Sequence, residues 1–340
     1  MTMPTKRRPR YKGTHPRKFS EKYKELNPEL YSEDVEKIKL RGATPAGTHR
    51  PICVEEILNI LKPKVGETAL DATLGYGGHA VALLKRLMPG GRLIGLDQDS
   101  IELPKTEKRL RAQEGISNDS LIIGAINFRE TQEFLINQGI GSVDMILADL
   151  GVSSMQIDDP HRGFSFKIDA PLDLRMNPKT SGPTAASLIL KTSEEELAEI
   201  LFQNADEFNA QIISQALKKH KPRTTTQLAE IIRNTIPKVI KNEGDAPIRR
   251  VFQALRIEVN DEFGALDKFL ADIPQVLSKK GRVAILSFHS GEDRRVKKSF
   301  QGFKRAGIYS NIAEDPVRPG FGEQRSNPRS KSAKLRWAKI

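Results

Sequence analysis

Between Thr68 and Asp149 the sequence keeps changing its hydrophobic period. Short apolar runs at Thr68-Ala-Leu-Asp71-Ala, Arg92 to Asp97, Leu121 to Ile123 and Val143 to Asp149 alternate with helical stretches over 80–87, 99–113 and 129–138. A strand joined to the next through a helix runs parallel to it, since a tight hairpin has no room for the crossover. The pattern therefore predicts an α/β chain built on a doubly wound parallel sheet. Upstream, Val54, Ile57, Leu58 and Leu61 have the i, i+3, i+4, i+7 spacing of an amphipathic helix, closed by Pro63. Downstream the alternation stops. From Thr184 to Asn234 the period is helical (Leu197, Ile200, Leu201; Ile212, Ile213, Ala216, Leu217; Leu228, Ile231, Ile232), with a turn at Lys221-Pro222-Arg223. A helix pair over Val251 to Phe263 and Leu266 to Leu277 then leads to a buried strand, Val283 to Phe288. The sheet is expected to resume after a helical insertion.

The first strand runs into Thr73-Leu74-Gly75-Tyr76-Gly77-Gly78-His79 and a helix. A glycine turn there lets backbone approach a ligand, and the helix N-terminus behind it favours negative charge. Gly75-x-Gly77-x-x-Ala80, with Asp97 twenty residues past Gly77 as a ribose-binding acid, also meets the dinucleotide pattern, so a nicotinamide enzyme stays open on pattern alone. Two features favour S-adenosylmethionine: Asp71 ends the first strand, where it can face a positively charged methionine group, and no later segment suggests hydride transfer. The plainer alternative is a turn that only packs helix on strand. At the end of the fourth strand, Asp149 sits on the edge that lines the ligand crevice of such sheets. A carboxylate there can accept an N–H bond and orient an amine lone pair for in-line methyl transfer; otherwise it caps the next turn.

Charge adds a partner. The net charge is +12, and residues 1–18 carry seven Lys or Arg and no acid, while residues 317–340 carry seven bases and one acid. The body between is close to neutral. Basic ends suit a polyanion, because lysine and arginine release counterions from phosphates, and Tyr11, Phe19 and Tyr23 could stack on bases. On this reading, deleting residues 1–18 lowers the salt slope of nucleic-acid binding by about 3 if roughly four of the bases meet single-stranded phosphates. A solvated tail is the other reading. With 38% apolar residues and 25 glycines the chain is not a disordered one. Its apolar runs are too short to cross a bilayer, Met1 to Ser20 lacks the apolar stretch of a secretory signal, and the single cysteine, Cys53, forms neither an internal disulfide nor a multi-cysteine zinc site. A soluble protein of the reducing cytoplasm, without metal, is expected.

Thr48-His49-Arg50-Pro51, Asp71 to His79, Asp149-Leu-Gly-Val-Ser-Ser-Met-Gln156, Arg162-Gly-Phe-Ser-Phe166, Pro171-Leu-Asp-Leu-Arg-Met176, Phe252-Gln-Ala-Leu-Arg-Ile257, Ser287-Phe-His-Ser290 and Asn327-Pro-Arg-Ser330 together resemble the bacterial 16S ribosomal RNA cytosine-N4 methyltransferases of the small-subunit methyltransferase H, or MraW, family. The resemblance runs from about residue 48 to Ile340. It implies a class I, Rossmann-like methyltransferase fold with a helical insertion, S-adenosylmethionine as donor, and a cytidine in the decoding region of 16S rRNA, on the small ribosomal subunit, as acceptor. Carried over by position, Gly77, Gly78 and His79 line the cofactor, Asp97 holds its ribose hydroxyls and Phe128 borders its adenine; Asp149, as cofactor contact and catalytic acid, and Gln156 complete the set. His289 is either a structural hydrogen-bonder or part of the RNA pocket. The implied organisation is a basic extension over 1–47, a methyltransferase domain over 48–157 and 250–340, and a substrate-recognising helical insertion over 158–249. Oligomeric state is left open, a homodimer being one option.

The chain departs from the family pattern in places. Asn204-Ala-Asp-Glu-Phe208 stands for the usual Tyr-Gly-Glu-Glu-Arg, Ser290-Gly-Glu-Asp-Arg294 for Ser-Leu-Glu-Asp-Arg, and Ala246-Pro247 for His-Pro. The N-terminal extension is longer than the common form and the stretch from Phe300 to Asn327 is shorter. These changes fall in the regions implied to meet RNA, which leaves a paralogue acting on a different RNA cytidine as a rival. A non-catalytic RNA-binding assembly factor is another, opposed by the intact Asp71, Gly75, Gly77, Asp97 and Asp149. The chain lacks the Asp/Asn-Pro-Pro-Tyr/Phe stretch of DNA amino-methyltransferases, and a zinc deaminase needs further cysteines.

Overall fold

The computed structural model describes residues 51–236 and 244–340; the basic extension over 1–47 lies outside them. The expected alternation is realised as β1 (Thr68–Asp71), α2 (Gly78–Leu87), β2 (Arg92–Leu96), α3 (Leu103–Arg111), β3 (Leu121–Gly124), α4 (Thr131–Asn137) and β4 (Val143–Asp149), preceded by α1 (Val54–Leu61). After a single-turn helix, α5 (Ser154–Asp158), the helical stretch forms α6 (Ala185–Lys191), α7 (Glu194–Ala205), α8 (Ala210–His220) and α9 (Thr225–Thr235). Then follow α10 (Ala246–Val259), α11 (Glu262–Val276), β5 (Leu277–Ser287), α12 (Ser290–Arg305), β6 (Asn311–Ile312), α13 (Phe321–Ser326) and β7 (Lys334–Lys339).

The strands form one sheet in the order β3-β2-β1-β4-β5-β7-β6. β1 to β5 are parallel, while β7 runs antiparallel between β5 and β6. Successive residues of a strand point to opposite faces, and the core divides accordingly. Leu70, Ile94, Ile146 and Ile285 face α11 and α12 through Phe269, Ile273 and Phe300. Ala69, Leu93, Met145, Leu147 and Leu286 face α1 and α2 through Ile57, Leu61, Leu83 and Leu87. Both faces are covered, as in parallel sheets generally. A third apolar cluster belongs to the helical stretch: Ile189, Leu197, Leu201, Ile213, Leu217, Leu228 and Ile232 close on one another and continue into α10 at Val251 and Leu255.

Three features differ from the sequence reading. The helix pair over 251–263 and 266–277 is shifted, spanning Ala246–Val259 and Glu262–Val276, with Asn260 and Asp261 between. β5 starts earlier than Val283: its register against β4 jumps from Val143–Leu277 to Met145–Arg282, so a bulge, with Lys280 at φ 68°, absorbs the polar Ser278 to Gly281. The C-terminal bases are also not simply a polyanion-facing end. Lys334 and Arg336 lie on β7 and pair with Asp293 of α12, and Lys339 lies over the Trp337 ring.

Candidate active site

The chain leaves β1 toward β2 on one side and returns to β4 on the other, so the order reverses between β1 and β4. In an open α/β sheet the crevice outside the strand carboxyl ends at this switch is where ligands bind. Asp71 ends β1, Asp97 follows β2 and Asp149 ends β4. Their positions are tied through the intervening turn. The Asp149 N–H donates to Thr73 Oγ1 at 2.6 Å and the Thr73 N–H to Asp71 Oδ1 at 3.2 Å. The Gly75 and Asp99 N–H groups donate to Asp97 Oδ2 and Oδ1 at 2.7 and 2.8 Å. Gly77 has φ 81°, and a Cβ there would stand 3.0 Å from the Thr106 methyl; at Gly78 it would stand 3.0 Å from the Pro51 ring. These glycines let α2 start hard against its neighbours, with its N-terminal turn beside the three acids.

The electrostatics are unusual. Asp71 is 1% exposed and forms no ion pair among the described residues; burial pushes its carboxyl up to about 6, and Asp149 and Asp97 push the same way against His79 and the Thr73 N–H. Burial likewise pushes Asp97 up to about 6, opposed by its two N–H partners. His79 is buried on α2, with Nε2 3.5 Å from Asp149 Oδ2 and no hydrogen bond. Its burial would depress the imidazole, but Asp149, Asp71 and Glu323 outweigh that and raise it. Asp149, Asp71 and Glu323 thus all act on one imidazole.

Behind this edge lies a buried junction. Arg162 (4% exposed) sends Nη1 to Asp99 Oδ2 at 2.9 Å and Nη2 to the Met176 carbonyl at 2.6 Å. Gln156 Nε2 donates to the same Asp99 oxygen at 2.8 Å, and its Oε1 accepts the Ser153 N–H in the capping box of α5. Gln156 thus ties the start of α5 to Asp99. Phe128 is linked to the Asp97 side through Asn127, whose amide donates to Gln98 at 2.9 Å, and its ring packs on Phe269 at 5.2 Å. His289 caps α12: its Nδ1 accepts the Glu292 N–H, and Nε2 lies 3.2 Å from Glu292 Oε1. Burial pushes Glu292 up, yet His289, the Phe288 N–H and Arg256 outweigh it and hold the carboxyl below its usual range. His289 therefore has a structural role at the start of α12.

Residues 46–340 match the MraW methylase family. Ribosomal RNA small subunit methyltransferase H 2 of Alkaliphilus metalliredigens is 51% identical over 341 residues, covering 98% of this chain and 97% of that protein. Ribosomal RNA small subunit methyltransferase H 1 of Lachnoclostridium phytofermentans is 50% identical, covering 98% and 92%. Ribosomal RNA small subunit methyltransferase H of Acidobacterium capsulatum is 40% identical over 294 residues, 85% of this chain and 97% of its own. The chain belongs to the MraW methylase family.

The methyl donor of this methylase is S-adenosylmethionine, and the crevice fits it. Asp71 is a buried carboxylate without a basic side chain in hydrogen-bonding contact among the described residues, which suits a ligand bearing a sulfonium and an ammonium. Of the residues singled out in the sequence, the turn brings Gly77, Gly78, His79, Asp97 and Asp149 together, with Phe128 one hydrogen-bonded pair away. Asp99 and Arg162 were missed as a pair; they lie 63 residues apart, and only the Arg162-Gly-Phe-Ser-Phe166 block hinted at one of them. Cys53, Glu56 and Glu323 bring donor atoms within 4.8 Å of one another, but the thiol is pushed up to about 12 by burial and neighbouring acids and stays protonated.

Proposed function

We propose that this methylase transfers the methyl group of S-adenosylmethionine to the exocyclic N4 amine of a cytidine in the decoding region of 16S rRNA in the cytoplasm. The observation that carries this reading is the Asp149 carboxylate, standing at the switch point with its backbone tied to Thr73 and Oδ2 facing His79. The relatives named as small-subunit ribosomal RNA methyltransferases support the choice of RNA.

Gly77, Gly78, Asp97 and Phe128 would hold the donor, the Asp97 oxygens taking ribose hydroxyls with the lone pairs left by Gly75 and Asp99. Bound there, the donor supplies an electrophilic methyl carbon on a sulfonium. Asp149 Oδ1 accepts one N–H of the amine, so that the nitrogen lone pair points toward that carbon. His79 stands beside Oδ2, 3.5 Å away. After transfer the amine holds a surplus proton, which Asp149 is placed to accept. Gln156 supports the site through Asp99. The helical insertion over 158–249 would grip the RNA so that the cytosine can be presented unstacked.

The test is methyl incorporation from labelled donor into small ribosomal subunits, naked 16S rRNA and DNA, followed by nucleoside analysis and mapping of the product. N4-methylcytidine in the decoding region is expected. Label at a different base or atom, or in none of the three nucleic acids, would overturn the reading.

A further inference from the structure

The segment from Phe321 to Ser332 is bound inward and left open outward. Glu323 of α13 turns in, its Oε1 accepting the Cys53 N–H at 3.1 Å, and Cys53 begins the helix α1 that packs under β5. Arg329 reaches Asp158 at the end of α5, 3.6 Å away, and Lys334 opens β7 opposite Ser287, at the carboxyl end of β5. The segment is therefore fixed at the sheet edge that carries Asp149, and Glu323 is close enough to His79 to raise its imidazole. Outward, the Phe321 ring is 83% exposed, and Arg325 and Lys331 are exposed with no acid paired to them among the described residues.

The described chain has one other aromatic ring this open, Phe208, 84% exposed. Its surroundings differ. It follows Asp206 and Glu207, which pair with Arg294 and Arg250, and it leans on Phe202 with centroids 6.5 Å apart. That patch has its charges matched internally, whereas Arg325 and Lys331 have no acid paired to them among the described residues. An aromatic face next to unpaired bases on a firm backbone is the surface that single-stranded RNA recognises: bases stack sequence-tolerantly on the ring and phosphates meet the cations.

We infer that Phe321, Arg325 and Lys331 form a docking platform for the single-stranded RNA that enters the site, with a base next to the target stacked on Phe321 and phosphates on Arg325 and Lys331. The inference rests on the RNA methylation proposed above and names the side from which the strand arrives. Its test uses the full chain, with fluorescence anisotropy on a single-stranded RNA oligonucleotide and methyl incorporation into small subunits. Phe321→Ala is expected to weaken oligonucleotide binding by about 5- to 100-fold and raise KM with little change in kcat, and Phe321→Trp to restore both. The double variant Arg325→Ala/Lys331→Ala is expected to flatten the slope of log K against log salt by about 1.4, at roughly 0.7 for each phosphate no longer neutralised. Calorimetry with S-adenosylmethionine, expected unchanged, shows that each variant is folded; should Phe321→Ala fail this check, the double variant and Phe321→Leu decide. Wild-type affinity, salt slope and KM in the variants would overturn the platform while leaving the methylation reading intact. A wild-type enzyme that labels no RNA would instead remove that reading, and the anisotropy would still judge the platform.

Discussion

The glycine-turn edge of the sheet and the helical stretch after it are held together by different means. The helical stretch is closed by aliphatic side chains from α6 to α10, with ion pairs such as Arg294–Asp206 and Arg233–Asp245 at the surface. The turn edge gathers the buried Asp71 and Asp99 and the half-buried Asp97, and secures them with backbone N–H groups, one imidazole and one guanidinium. The first arrangement maximises stability. The second concentrates like charge where a cationic ligand is to sit, so stability is spent on binding.

The sharpest way to break this comparison is at the junction between the two regions. Arg162→Ala leaves the Asp99 carboxylate buried without its cation, a change that typically costs about 3–5 kcal/mol; urea unfolding of the variant should show a loss of that size. A loss under about 1 kcal/mol, the level of exposed pairs, would mean that Asp99 is as well served by Gln156 and backbone alone. Next in size is the chemistry. Asp149→Ala is expected to lower turnover about 100-fold or more, the range that positioned proton-handling groups supply, while the affinity for S-adenosylmethionine changes less; single-turnover methyl incorporation separates the two. Asp97→Ala, which removes a charged acceptor, should weaken donor affinity by about 1.5–3 kcal/mol in calorimetry without unfolding the protein.

A pH series sharpens the same contrast. Asp71 and Asp97 have carboxyls raised to about 6 in the folded chain, above their ordinary 3.8. The folded state thus holds these protons more tightly than the unfolded one, and the contribution of these groups to stability falls as pH rises through about 4 to 6. A cationic ligand favours the ionised form, so its stabilising effect grows over the same window. Thermal shifts with S-adenosylmethionine and with S-adenosylhomocysteine, whose sulfur is neutral, should diverge as pH rises; parallel curves would show that Asp71 does not face the sulfonium. The smallest effect is expected in the helical stretch. Arg294→Ala, at an exposed pair with Asp206, should change stability by less than about 1 kcal/mol.

Much of the sheet could be read from the sequence because β1 to β4 are short apolar runs between helices, and the acids at their ends stand out against that background. Asp71, Asp97 and Asp149 were legible for that reason. The Asp99–Arg162 pair was not, since neither residue breaks a local pattern and their partnership exists only once the chain after β4 folds back over β2. β7 was hidden differently. Arg336 occupies a buried strand position, which reads as solvated charge until Asp293 of α12 is placed opposite it. Gln156, implied by resemblance to touch the donor, also bonds Asp99 and Ser153 through its amide, a tie that spacing alone could not reveal.

Cys53 is fully buried at the start of α1, and its thiol is pushed up to about 12. A thiol raised from 9.0 by that much has about a thousandth of the usual thiolate near neutral pH, and the thiolate is the nucleophile. Alkylating reagents therefore register this cysteine only when the helix start lifts away from Glu323 and the sheet. The chain has no other cysteine, so the rate of modification becomes a clock for the opening of the wall beside Asp149, readable by mass alone and without any added probe.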